Sequence, residues 1–189
     1  MSVLQAALLF LCQSIFTLLI IVFLLRFCVQ LSGPTPRNTI TQWIGNITNP
    51  AIRPIRTVLR VWKGFDSAAF LICLLLIMAK VYIFGWIKID ESLPLLSVFV
   101  YSCGQLLQFT VQLYSIIIIA QAVLSWVNPE PNALSDILYV LTAPMLNLVR
   151  KFLPTMGGFD LSPIPVWIGL QLINIMVATP LMRASLWIF

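Results

Sequence analysis

The chain alternates between long apolar runs and short polar, basic, proline-marked connections. A membrane span needs about 20 mostly apolar residues. Four stretches qualify: 3–25, 67–87, part of 93–127, and 163–182. The third is too long for one ordinary span. As a single helix it would reach about 50 Å against a hydrocarbon core of about 30 Å. Pro94 and Gly104 punctuate it, so the pattern predicts a span over 106–126, with 93–103 as an interfacial lead-in. The predicted fold is an all-α membrane protein with four transmembrane helices.

The polar connections write one message twice. Thr48, Pro50, Arg56, Leu59, Gly64, Phe65 and Asp66 recur ninety-four positions later as Thr142, Pro144, Arg150, Leu153, Gly158, Phe159 and Asp160. The chain therefore divides into two repeats, 1–90 and 91–189, each a span, an amphipathic segment and a second span. The amphipathic segments are predicted over 38–63 and 132–155. Two spans per repeat preserve orientation, so the repeats should be parallel, related by an axis along the membrane normal.

Within the first segment Ile52, Ile55, Leu59 and Trp62 share one helical face. Arg53, Arg56, Arg60 and Lys63 follow one residue behind. Such a helix lies in the membrane interface with its apolar side down and its cations toward phosphates. Asn49 and Pro50 suit the cap and first position of that helix. Each segment thus reads as two short helices hinged at Pro50 or Pro144. Arg150 and Lys151 carry the charge of the second copy. Gly64 and Gly158 suit a left-handed stop for the interfacial helix. Asp66 and Asp160 then serve either as turn and cap for the following span or as partners for basic residues around a cytoplasmic mouth. Ser162 and Pro163 suit the start of the last span.

Charge sets the sidedness. Connections 32–66 and 127–162 hold Arg37, Arg53, Arg56, Arg60, Lys63, Arg150 and Lys151; the opposite side holds Lys88 and Arg183. The positive-inside rule places the repeated segments in the cytoplasm and both termini outside. The first apolar run has no basic residue before it and is too long for a signal peptide, so it reads as a retained span.

Composition narrows the chemistry. The chain is 60% hydrophobic and 9% charged, with net charge +5. That is a protein of the lipid phase whose expected partners are anionic headgroups rather than nucleic acid. Its 189 residues contain no histidine. The sequence offers no metal-ligand, nucleotide-binding or nucleophile motif, so neither a cofactor nor an enzymatic activity is expected. Cys12, Cys28, Cys73 and Cys103 read as small apolar side chains. Gln105, Gln108, Gln112 and Ser115 form one stripe on the third span, either as glue between helices or as a polar path. Lys80 lies within the second span and either snorkels outward or joins the polar path or helix glue as an intramembrane charge, while Arg26 should snorkel toward the cytoplasm.

The paired Pro…Arg…Gly-x-Asp blocks between spans resemble the YggT family of bacterial membrane proteins, related to the YlmG proteins of Gram-positive bacteria and plastids. Copy one has Pro50, Pro54 and Arg56-Thr57. Copy two has Pro144, Arg150-Lys151 and Pro154, with Leu148 at the middle proline. The resemblance implies a multi-pass protein of the bacterial inner (cytoplasmic) membrane. It also implies links to osmotic or ion homeostasis, to division or nucleoid organisation, and in plastids to cytochrome assembly. The expected function is a non-enzymatic organiser that presents two basic interfacial helices to anionic lipid or to a cytoplasmic protein partner. The alternative is a small channel or transporter subunit for cations with a glutamine-lined path, which requires a homo-oligomer. The predicted topology is checked with alkaline phosphatase fusions: activity is expected after the last span, and none from a junction at Arg53. The reverse pattern would overturn the sidedness.

Overall fold

The computed structural model describes residues 3–33, 38–57, 59, 61, 64–89, 93–127, 132–152 and 160–185. These are almost entirely helical: α1 (Val3–Ser32), α2 (Thr39–Arg56), α3 (Ser67–Ile89), α4 (Leu95–Val127), α5 (Ala133–Arg150), α6 (Pro163–Ile173), a π-helical turn (Asn174–Ala178) and α7 (Thr179–Ser185). Four helical stretches are long and apolar enough to cross a membrane: α1, α3, α4 and the joined α6–α7 unit. The amphipathic α2 and α5 stand between them.

Helix α4 is the hub, packing against α3, α5, α6, the π turn and α7. Helix α1 packs on α3 and α2 and touches α5, while α1 and the last span do not meet among the described residues. Ile20, Leu24, Ile52, Ile72, Ile77, Leu106 and Ile118 belong to one core that runs through both halves of the chain. No more than a third of the residues in each span's apolar window are buried within the protein, as expected where the solvent is lipid.

The third span is not divided. Leu95–Val127 is one continuous helix of 33 residues, so the residues expected as an interfacial lead-in belong to the same helix as the span. Gly104 does not break it. A Cβ built there would lie 2.6 Å from Met182 Cγ and 3.1 Å from both the Ala178 carbonyl oxygen and the Met182 nitrogen. Gly104 thus serves contact between helices: its missing side chain lets the α4 and α7 backbones approach closely.

The proline hinge is also corrected. Pro50 and Pro54 lie inside continuous α2, and Pro144 lies inside continuous α5. Each interior proline costs about 3 kcal/mol. Ile44 and Thr48 before Pro50, and Ile52 after it, are all buried, and burying a large aliphatic side chain stabilises by about 1.5–3 kcal/mol. Packing on both sides of the proline therefore holds one helix together. The caps are Asn38 and Asn132, not Asn49. Each accepts backbone N–H groups two and three residues on. The Asn38 amide also donates to the Ala133 carbonyl at 2.6 Å, joining the starts of α2 and α5.

The helices end earlier than the charge pattern predicts. Helix α2 stops at Arg56 and α5 at Arg150. Gly64 has φ +88°, but it turns the chain into α3 eight residues after α2 has ended. Gly158 lies outside the described residues.

Gly104→Ala should destabilise the protein by about 1–3 kcal/mol through overpacking. Gly169→Ala, with nothing within 4 Å of its Cβ position, should be neutral or gain up to about 1 kcal/mol of helix propensity. Thermal unfolding in detergent measures both, and equal midpoints would refute the close-approach role of Gly104.

Candidate functional site

The most concentrated chemistry lies where α1, the end of α2 and the start of α3 meet. Asp66 stands just before α3 and is fully buried. One carboxylate oxygen accepts the Ala69 N–H at 3.3 Å, an N-cap bond at the positive end of the helix dipole. The other accepts a hydrogen bond from Arg56 Nη2 at the end of α2 and lies 3.9 Å from Arg26 Nε on α1. Arg26 also donates through Nη1 to Thr48 Oγ1 at 2.8 Å and to the Gly45 carbonyl at 3.4 Å. Thr48 in turn donates to the Ile44 carbonyl. Beside this network Phe27, Phe65 and Phe70 pack their rings with centroids 5.1–5.7 Å apart.

The reading of Arg26 as a snorkelling residue is therefore corrected. Its side chain is 12% exposed and turns inward, because a buried carboxylate nearby offers more than a phosphate beyond the helix end. Arg26 and Thr48 are the members of this network that sequence reasoning did not place in it. The recurrence of Thr48 as Thr142 was the available signal.

A matching arrangement stands ninety-four positions later. Arg150, at the end of α5, donates through Nε and Nη2 to one oxygen of Asp160, at 3.0 and 2.6 Å. The other Asp160 oxygen accepts the Ser162 N–H, while Ser162 makes no side-chain cap bond. Thr142 donates to the Leu138 carbonyl, as Thr48 does to Ile44. The position equivalent to Arg26 is Ala120. Arg150 instead donates to Asn147. This second pair is more open, with side chains 30% and 20% exposed. Burial alone would push the Asp160 carboxyl up. Hydrogen bonds from Ser162 and Arg150, with the guanidinium charge, outweigh it and hold Asp160 below the usual carboxylate range.

The predicted lipid-binding cations are thus divided. Arg56 and Arg150 face carboxylates of their own chain. Arg53 and Lys151 are exposed. Arg60 and Lys63 lie outside the described residues. The apolar stripe of α2 is redirected as well: Ile44 and Ile52 are buried within the protein, and Trp43, Ile47, Pro50 and Pro54 form the exposed face, with Arg53 at its edge.

Within the spans, Lys80 does not snorkel. It is 8% exposed, donates to Thr17 Oγ1 on α1 at 3.0 Å and lies 5.2 Å from the Phe109 ring centroid on α4. The glutamine stripe spreads over several environments. Gln112 is exposed at the middle of α4, Gln108 is half-buried, and the Gln105 side-chain oxygen is buried without a partner. On the last span Gln171 donates to Ser115 at 3.1 Å, joining it to α4. The described residues contain no cluster of His, Cys, Asp and Glu able to hold a metal.

Asp66→Asn would leave two guanidiniums without their counter-charge, and a loss of about 3–5 kcal/mol is expected. Asp160→Asn should cost less because its pair is screened by water. A carboxylate held below its unfolded value stabilises the fold above that value, and its contribution fades as pH falls through the folded one. Acid should therefore erase the stability difference between wild type and Asp160→Asn. A difference in thermal unfolding that does not shrink as pH falls below the usual carboxylate range would contradict this pairing.

Comparison with known proteins covers most of the chain. The family described as CCB3/YggT matches residues 5–87 and 100–181. The uncharacterised protein YggT of Escherichia coli (strain K12) is 30% identical over 169 residues, 89% of this chain and 88% of that protein. An uncharacterised protein from the proC 3′ region of Vibrio alginolyticus is 28% identical over 169 residues, 89% and 91% of the two chains. The chloroplastic YlmG homolog protein 2 of Arabidopsis thaliana is 39% identical over 59 residues, 31% of this chain and 24% of that protein. No solved structure matches.

Proposed function

The chain belongs to the CCB3/YggT family, and from that premise we propose that it is a non-enzymatic organiser of the bacterial inner membrane. In this reading α2 and α5 lie at the cytoplasmic surface, both termini face outward, and the exposed cations engage anionic headgroups. Bound headgroups would in turn recruit or position a cytoplasmic protein partner.

The observation that carries the reading is the outward face of α2. Trp43 is 67% exposed and Ile47 48%, beside exposed Pro50, Pro54 and Arg53. An aromatic residue beside a cation at a membrane border suits the headgroup region. Leu148 and Phe152, flanking Lys151, repeat that pairing at the end of α5. Arg56 and Arg150 have a different task in this reading: they dock the ends of α2 and α5 onto the next span. The ninety-four-residue correspondence of caps, threonines and ion pairs supports descent from one duplicated unit. Links to osmotic homeostasis or division remain at the level of the family resemblance. A cation path lined by glutamines fits less well, because Gln112 is exposed on the single chain and would need a second copy to enclose it.

The test is thermal stabilisation in neutral detergent by added phosphatidylglycerol against phosphatidylcholine. The anionic lipid should stabilise more. Arg53→Glu combined with Lys151→Glu should remove most of that excess, each cation near an anionic surface being worth about 1 kcal/mol. Gln112→Leu should leave it intact. Equal stabilisation by the two lipids, or an unchanged excess in the double variant, would refute the reading.

A further inference from the structure

Helix α4 is covered by its own chain on most sides, but one stripe along its second half is left open. Gln112, Ile116, Ile119 and Val123 are exposed, the three aliphatic residues at 67%, 52% and 48%. Val111, Tyr114, Ser115, Ile117 and Ile118, which alternate with them, are buried. The open positions follow steps of four, three and four. That is the alternation of a seam on which two helices wind about each other. Ile116, Ile119 and Val123 are β-branched, so their χ1 angles are already restricted in a helix and little side-chain freedom is lost in a contact.

Gln112 heads the seam at mid-membrane. It stands seventeen residues beyond Leu95, about 26 Å along a helix of about 50 Å. Its amide carries two N–H donors and a carbonyl acceptor, and among the described residues none of these has a partner. Hydrocarbon offers no water to replace one, so such an amide is stabilised by a partner on another helix. Gln13 on α1 is exposed too, but so is every residue from Phe10 to Ile15. All sides of α1 are open there, and no stripe is set apart.

We propose that this stripe joins α4 to the α4 of a second copy in a two-fold dimer, with Gln112 against Gln112 at its centre. The occupant follows from orientation and chemistry. Copies inserted with the same topology hold α4 parallel and Gln112 at one depth, so a two-fold axis along the membrane normal brings each stripe against itself. An amide is its own complement: each Gln112 donates an N–H to the other's carbonyl oxygen. An aliphatic seam alone would not hold, because lipid tails offer it equal contact; the paired amides supply what lipid cannot. Gln112 then joins protomers and does not line a path. The inference rests on α4 crossing the membrane, not on headgroup binding by Arg53 and Lys151.

The experiment is disulfide trapping in isolated membranes with copper phenanthroline. It uses the full chain with Cys12→Ser and Cys103→Ser, the remaining Cys28 and Cys73 being buried. Ile119→Cys should give a product of twice the chain mass. Leu75→Cys on α3 should stay monomeric: Leu75 is 50% exposed against 52% for Ile119, and lies as far from the start of α3 as Ile119 does from the end of α4. Donor and acceptor fluorophores on separate copies in lipid vesicles then give the affinity, from the lipid dilution at which energy transfer falls by half. Gln112→Leu should weaken it at least about fivefold, and Gln13→Leu should leave it unchanged. Circular dichroism and gel filtration check that each variant is folded. No dimer from Ile119→Cys, equal trapping at Leu75→Cys, or a product of another mass would overturn the proposal. So would an affinity that Gln112→Leu leaves unchanged, or that Gln13→Leu lowers as much.

Discussion

Asp66 is a fully buried carboxylate where three helices meet, and the architecture of the first half follows from satisfying it. A buried anion has to be paired and hydrogen-bonded. The Ala69 N–H, Arg56 and Arg26 do this from three elements. The end of α2 is thereby drawn to the start of α3, and α1 is drawn to both. Arg26 then holds α2 a second time through Thr48 and Gly45. A helix that could lie loosely on a membrane becomes part of the protein core, with its other face left exposed.

The second half solves the same problem with fewer charges. Arg150 and Asp160 pair across the same ten-residue separation, and α5 matches α2 in length, cap and threonine bond. With Ala120 in place of Arg26, no guanidinium from α4 joins the network. Helix α4 anchors α5 by packing, and spends its closest approach on the last span, where Gly104 meets Ala178 and Met182. The π turn lies in that same stretch, where Thr179 donates its hydroxyl to the Asn174 carbonyl. One copy is tied to its first span by charge, and the other by burial.

Much of the framework was legible along the chain. Each span is a local excess of apolar residues, and the preference for lipid adds up residue by residue, so its presence needs no knowledge of neighbours. The starts of α2 and α5 are set locally, because Asn38 and Asn132 cap through bonds only two and three residues long. Helix continuity was less legible. Pro50 and Pro144 read as hinges because proline weakens a helix locally. What keeps α2 and α5 whole is the burial of residues on either side of each proline, and neighbours distant in sequence supply that burial. Gly104 likewise read as punctuation until α7 stood against it.

By itself, therefore, the sequence determined the number of lipid-adapted helices, their amphipathic connections and the likeness of the two halves. These depend on composition and short-range periodicity. Tertiary structure decided where each charge goes. Arg56 and Arg150 read as lipid ligands but meet carboxylates ten residues on; Arg26, read as snorkelling, and Lys80, read as snorkelling or as an intramembrane charge, turn inward to threonines 22 and 63 positions away. A charged side chain chooses among competing partners by distance and dielectric. Those distances exist only once the helices have packed.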